Sequence, residues 1–299
     1  MGSLKNPALR FALKDTNMEI QFLKLHGCGN DYILIDCLKN PLPDENILSE
    51  LAQKMCDRHY GVGGEGLILI SSSRDHAFKM RIFNTNGLEV AMCANAVCCV
   101  GLYAYDTGLE KEKRFKIETG KREIPVEVID SYNLRIDIGP PYHFASNEEL
   151  KEWSAKEYTT SLMIDDKEYT ITPLSLGNPH VIIFVQDFNL PLHAIGRKIE
   201  NHSMFTEKTN VEFVRVINSE EIQIRFWERG VGESLAFGDG AGAALVASAI
   251  NGFSDREVTA RLKGGDLFME WNEDNNHVYI TGPAFYIFSG IYYFEERNI

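Results

Sequence analysis

The sequence has no apolar run near the roughly 20 residues that a membrane-spanning helix requires, so no such span is expected. Its N-terminus, MGSLKNPALRFALKDTNMEI, lacks an apolar core followed by a small-residue cleavage site, which argues against a secretory leader. Residues 1–19 are expected to form an extension, because organised patterning starts at Ile20, with Met18 as an alternative start. Cysteine is missing beyond Cys99: Cys28, Cys37, Cys56, Cys93, Cys98 and Cys99 all fall in the first third. That asymmetry favours reduced thiols in the cytoplasm over a disulfide frame. Adjacent Cys98 and Cys99 have no CxxC or His-x-His partner nearby, so they read as core residues and no metal site is expected. Positive charge is scarce. The net charge of −13 sets an average field that repels polyanions, which excludes nucleic acid and anionic membrane as expected partners but leaves room for a local basic pocket.

What is present is mostly strand. A chain of 299 residues can form one large domain or two medium ones. Short β-rich runs at 22–25, 33–37, 67–71, 79–83, 116–118, 126–129 and 134–138 lead to the break at Gly139-Pro140-Pro141. A second series follows at 169–172, 180–185, 211–216, 221–226, 257–262, 267–271 and 277–281. Amphipathic helices are expected over 44–58, 146–156 and 192–201.

An internal repeat organises these runs. Arg81-Ile82-Phe83-Asn84 and Arg225-Phe226-Trp227-Glu228 lie 144 residues apart, as do Cys93-Ala94-Asn95-Ala96 and Phe237-Gly238-Asp239-Gly240. Asn95 and Asp239 read as N-cap residues of helices rich in small side chains, and Gly108 and Gly252 stand where such helices stop. The expected fold is α+β: two similar lobes related by a pseudo-two-fold, each a mixed, mostly antiparallel sheet wrapped around a central helix. Residues 20–138 with 283–299 would form the first lobe and 139–282 the second. Two helix N-termini would then face each other across a cleft that attracts an anion such as a carboxylate.

Several motifs are read against their blander alternatives. Gly61-Val62-Gly63-Gly64-Glu65-Gly66 matches GxGxxG, but a strand rather than a helix follows, so a nucleotide loop is rejected. Asn201-His202-Ser203 matches a glycosylation acceptor that has no meaning without secretion. Gly27-Cys28-Gly29-Asn30-Asp31 and Gly177-Asn178-Pro179-His180 read as tight turns, although turn chemistry leaves His180 at the head of an apolar strand unexplained. Cys93 precedes the first central helix, where a thiol is expected to have a lowered pKa. Glu228-Arg229-Gly230 lies on the opposite approach to the cleft, with a surface ion pair as the alternative.

These blocks, together with Leu25-His26, Phe83-Asn84-Thr85-Asn86-Gly87, Thr209-Asn210-Val211 and Val231-Gly232-Glu233-Ser234, resemble the diaminopimelate epimerases in order and spacing from Ile20 onward. The resemblance implies epimerisation of a free amino acid or related carboxylate without pyridoxal phosphate or other cofactor, by two cysteines on opposite faces of the α-carbon. It makes Cys93 one catalytic thiol, and His180 and Glu228 the groups that assist the two thiols. Asn30, Asn84, Asn178, Asn210 and Arg229 become substrate-holding positions, with Asn95 and Gly238 at the helix N-termini. It also implies a homodimer, or a heterodimer with a homologue.

The second thiol of that pattern falls on Phe237, which cannot exchange a proton. Asp239 follows, expected to cap its helix and to set a carboxylate where the substrate's would bind. Ala94, Ala96 and Cys98 also depart from the family pattern of glycine, glycine and arginine. Two functions are therefore expected to compete: an isomerase using Cys93 with Glu228 or Asp239 as the second acid/base group, or a non-catalytic relative that binds a ligand or partners an active homologue.

Overall fold

A computed structural model describes residues 17–40, 44–120, 122–146, 148–150 and 158–295. The first half contributes β1 (Asn17–Gly27), β2 (Asn30–Asp36), α1 (Leu48–Cys56), β3 (Gly66–Ser71), β4 (Lys79–Asn84), β5 (Glu89–Val90), α2 (Ala94–Asp106), β6 (Arg114–Glu118), β7 (Glu123–Val128) and β8 (Asn133–Gly139). The second contributes β9 (Tyr142–His143), β10 (Thr160–Ile164), β11 (Lys167–Ser175), β12 (Pro179–Phe184), α3 (Leu192–Glu200), β13 (Asn210–Asn218), β14 (Glu221–Trp227), α4 (Gly238–Ile250), β15 (Glu257–Leu262), β16 (Gly265–Trp271) and β17 (Val278–Glu295). No helix among the described residues is long and apolar enough to cross a membrane.

The architecture is α+β in two similar lobes, and among the described residues each lobe has one α-helix inside its strands and one outside. The outer helix α1 is amphipathic: Leu48, Leu51, Ala52, Met55 and Cys56 are buried at helical spacing, while Glu50 and Lys54 pair across the wet face. Its counterpart α3 buries Leu192, Ile195 and Ile199 in the same way. The inner helices differ in kind. Helix α4, GDGAGAALVASAI, is buried on nearly every side, and its small residues let the surrounding strands come close. Helix α2 is likewise buried from Ala94 to Ala104 and shares a continuous apolar core with α4.

The repeat is visible in the backbone. Helices α2 and α4 cover residues 144 apart at both ends, and the residues before them, Cys93 and Phe237, share an extended conformation with φ −147°. Gly108 and Gly252 have φ of 73° and 69°, the left-handed conformation that favours glycine after a helix. Strand pairing repeats too. Tyr32 in β2 lies in parallel register with Gly66 in β3, and His180 in β12 with Asn210 in β13.

The two inner helices meet at their N-termini. A Cβ added to Gly238 would stand 2.5 Å from the Ala94 methyl and 3.2 Å from Asn95 Oδ1. Position 238 must therefore lack a side chain.

Three expectations need correction. The N-cap positions are Cys93 and Phe237, not Asn95 and Asp239, which lie one turn-position inside their helices. Asparagine and aspartate suit caps, but here the chain is still extended two residues earlier, held by strands on either side. Residues 17–19 are not extension but part of β1, with Asn17 paired to Glu295; residues 1–16 lie outside the described residues. The helix expected over 146–156 falls largely outside the described residues; Ser146 lies in a turn and Glu149 bridges to Tyr142. The strand expected to end at 281 runs unbroken to Glu295. Gly282-Pro283 marks a change of neighbour rather than an end, because β17 leaves β8 at Pro283 and joins β1 from Ala284. Strand β10 had no expectation; it forms through a hairpin whose turn residue Asp165 has φ 53°.

Replacing Gly238 with alanine forces two rigid helix termini apart, and overpacking of this kind costs about 1–3 kcal/mol. Gly238→Ala should lower the urea midpoint accordingly, and an unchanged midpoint would contradict the head-to-head contact.

Candidate active site

Cys93, the last extended residue before α2, is half-buried, and its Sγ lies 3.0 Å from the Tyr32 hydroxyl. Burial pushes the thiol up to about 11; the Tyr32 hydroxyl and the Ala96 amide pull it down, and the carboxyls of Asp239 and Glu228 add repulsion. This corrects the expected lowered pKa. The helix terminus favours a thiolate, but removal from water opposes it more strongly, and two neighbouring acids reinforce that.

Phe237 occupies the same position before α4. Its ring lies 5.7 Å from the His180 imidazole at 35° and meets Phe226 edge-on at 6.1 Å. Beneath it, His180 is fully buried, with Nδ1 2.9 Å from Glu212 Oε1 and Nε2 2.8 Å from Asn178 Oδ1. Glu212 is buried completely and burial raises its pKa, opposed by His180.

The carboxyls around this centre are unusual for acids. Burial raises Glu228 to about 7, with Glu65, Asp239 and Glu212 adding repulsion. Burial likewise raises Asp239 to about 6, while His180 and Arg122 pull it down. Asp239 does not cap α4: no side chain caps that terminus, and Asp239 Oδ1 is buried without a hydrogen-bond partner among the described residues. Its position one residue inside the helix explains this, since the side chain no longer reaches back over the free amides.

The asparagines serve mainly to fix backbone. Asn30 Nδ2 donates to Ala236 O at 2.7 Å, tying β2 to the residue just ahead of Phe237. Asn95 Nδ2 donates to Gly27 O at 3.3 Å. Asn210 receives the Arg229 amide at 2.9 Å and donates to Pro179 O at 3.1 Å. Asn84 closes β4, half-buried. The Arg229 guanidinium stands apart: it is exposed and donates to Glu207 O at 2.8 Å. Thus Cys93, Glu228, Asp239, His180 and Phe237 gather at the helix termini with Asn95, Asn178 and Gly238, while the Arg229 side chain does not join them.

Two residues of the site carried no expectation: Tyr32 and Glu212. Tyr32 was legible through the repeat, since Asn30-Asp31-Tyr32 parallels Asn178-Pro179-His180. Glu212 gave no signal in an apolar strand.

The geometry can now be set beside known proteins. The profile described as Diaminopimelate epimerase matches residues 22–144 and 173–287. This chain belongs to the diaminopimelate epimerase family. The diaminopimelate epimerase of Acetivibrio thermocellus is 44% identical over 278 residues, covering 91% of this chain and 98% of that protein. That of Pelotomaculum thermopropionicum is also 44% identical, covering 91% and 99%. Among solved structures, a hydroxyproline epimerase from Agrobacterium vitis with bound trans-4-hydroxy-L-proline superposes with TM-score 0.66 at 12% identity, covering 93% of this chain and 94% of that one. A phenazine biosynthesis protein of the PhzF family from Enterococcus faecalis gives 0.66 at 14% identity, covering 93% and all of that chain. These two share the two-lobed fold of the family member described above.

The raised Asp239 makes a prediction about stability. Its folded pKa of about 6 exceeds the ordinary 3.8, so the fold favours its neutral form. Its contribution is therefore most favourable below about 4 and is lost as pH rises through 6. Asp239→Asn should gain stability relative to the parent between pH 4 and 8, by about 2–3 kcal/mol at 1.36 kcal/mol per unit. Urea titrations at both pH values measure this; a pH-independent difference would contradict it.

Proposed function

We propose that this protein is a cofactor-independent isomerase acting at the α-carbon of an amino acid, in which a carboxylate replaces one of the two thiols. Phe237 stands where the diaminopimelate epimerase pattern has its second catalytic cysteine, and the ring can neither take nor give a proton. The observation that carries the proposal is the pairing of a neutral thiol with carboxyls raised into the neutral range: Cys93 at about 11, Glu228 at about 7 and Asp239 at about 6. A base titrating near the working pH and an acid still protonated there are what α-proton transfer requires. Glu228 removes the proton, the Cys93 thiol returns one, and the amides at the two helix termini hold the substrate carboxylate as charge develops on it. His180 and Asp239 set the field of the second terminus. Asn30, Asn84, Asn178 and Asn210 hold the cleft's shape, with the lobes divided at 138/139 and 282/283.

A second reading draws on the Phe237 ring packed against His180: a non-catalytic homologue that binds a ligand or joins an active epimerase. Deuterium exchange separates the two. In D₂O, free amino acids including diaminopimelate should acquire α-deuterium, with a rate that rises through pH 7 as Glu228 ionises and falls toward pH 11 as Cys93 does. Removing a general base costs about 10²–10⁴-fold, so Glu228→Gln should lose exchange on that scale. Absence of exchange across the panel supports the second reading instead.

We further propose a cytoplasmic homodimer joined through β17. Six unpaired cysteines fit a reducing compartment. Among the described residues, 284–295 of β17 pair only with β1, and Phe285, Tyr286, Ile287, Phe288 and Ile291 are exposed on both faces of that strand. A free edge with apolar side chains is a natural pairing surface. Light scattering should report a dimer that the double variant Ile287→Lys with Phe288→Lys converts to monomer; a monomeric parent would refute it.

A further inference from the structure

The two lobes present the same kind of group to the two helix termini, and only one of them now meets a thiol. Tyr32 in β2 and His180 in β12 hold equivalent places, each in the strand that runs parallel to its neighbour, opposite Gly66 and Asn210 respectively. Each is a polar aromatic ring, almost fully buried, directed at the residue before an inner helix: Tyr32 at Cys93 and His180 at Phe237. In the second lobe, both His180 nitrogens turn to Glu212 and Asn178, and the ring lies tilted against Phe237. In the first, the tyrosine hydroxyl reaches the sulfur.

We infer that Tyr32 is a positioning residue for Cys93, holding the sulfur through both of its protonation states. The inference rests on the isomerase reading above, which gives Cys93 a proton to donate and recover. A hydroxyl suits the task because it is both donor and acceptor. It accepts from the S–H while Cys93 is a thiol, and rotates to donate once the proton has left, so the sulfur never loses its partner. The bond is stronger in the second state, since hydrogen bonds to a charged acceptor exceed neutral ones. Tyr32 itself keeps its proton: burial, then the neighbouring Cys93, raises its pKa well above the ordinary value. The other groups around the sulfur act the opposite way. Glu228 beyond β14 and Asp239 from α4 repel a thiolate, and Cys98 and Cys99 in α2 are themselves buried thiols held neutral. Tyr32 is the side chain that favours the anion.

The test reads Cys93 directly. Iodoacetamide alkylation of the half-buried Cys93, followed by peptide mass spectrometry from pH 7 to 11, reports its thiolate, with half-buried Cys37 as internal reference. Losing a hydrogen bond to a charged group should slow Cys93 alkylation at pH 9 about tenfold in Tyr32→Phe and move its midpoint upward, with Cys37 unchanged. Tyr32→Phe keeps the ring and its packing; should it misfold, 3-fluorotyrosine at position 32, a stronger donor of nearly the same shape, should move the midpoint downward. A Cys93 profile that neither substitution shifts overturns the inference. The two proposals fail separately. A shifted profile without α-deuterium exchange in the parent would leave the tyrosine–thiol pair standing and remove the isomerase reading, whereas exchange with an unshifted profile would do the reverse.

Discussion

The site depends on one contact: the Ala94 methyl against the bare Cα of Gly238, where two buried helices meet end to end. Because the helices abut, the extended residues before them are carried to the flanks of a shared centre. Cys93 and Phe237 owe their places to this and not to local sequence. The contact also sets the electrostatics. Two helix termini bring positive partial charge into a region closed off by strands, so carboxyls are drawn there while water is kept away. Burial then prevails over the dipoles, and Cys93, Glu228 and Asp239 all shift upward together.

That common direction gives the centre its chemical character. A thiol at about 11 is an acid at neutral pH, and a carboxyl at about 7 exists as both acid and base there. An arrangement with two thiols would need one of them ionised. In the proposed reaction the division between donor and acceptor is built from two different functional groups, while the Phe237 ring lies tilted against His180. Glu212 anchors that histidine from a fully buried position.

Much of this was legible in the chain. The 144-residue repeat placed both inner helices, because their small residues and their stop glycines Gly108 and Gly252 are dictated by close packing and by a left-handed turn, which are local demands. The caps were misplaced by two residues, since Asn95 and Asp239 satisfy local preference while strands distant in sequence decide where the helix begins. The sign of the Cys93 shift was illegible for a similar reason. It is set first by burial, and then reinforced by Asp239 and Glu228, more than 130 positions away. The true extent of β17 was hidden by Gly282-Pro283, which signals a break in isolation but is tolerated where a strand changes partners.

The pairing of β1 with β17 bears on how the chain reaches its native state. Asn17 lies opposite Glu295, so two strands 278 positions apart in sequence are neighbours. Contacts of such sequence separation slow folding and leave strand edges open meanwhile. The second lobe, whose strands β11 to β16 are contiguous in the chain, can assemble during synthesis. The first must wait for residues 284–295, and the cleft between them comes into existence only once that strand is in place.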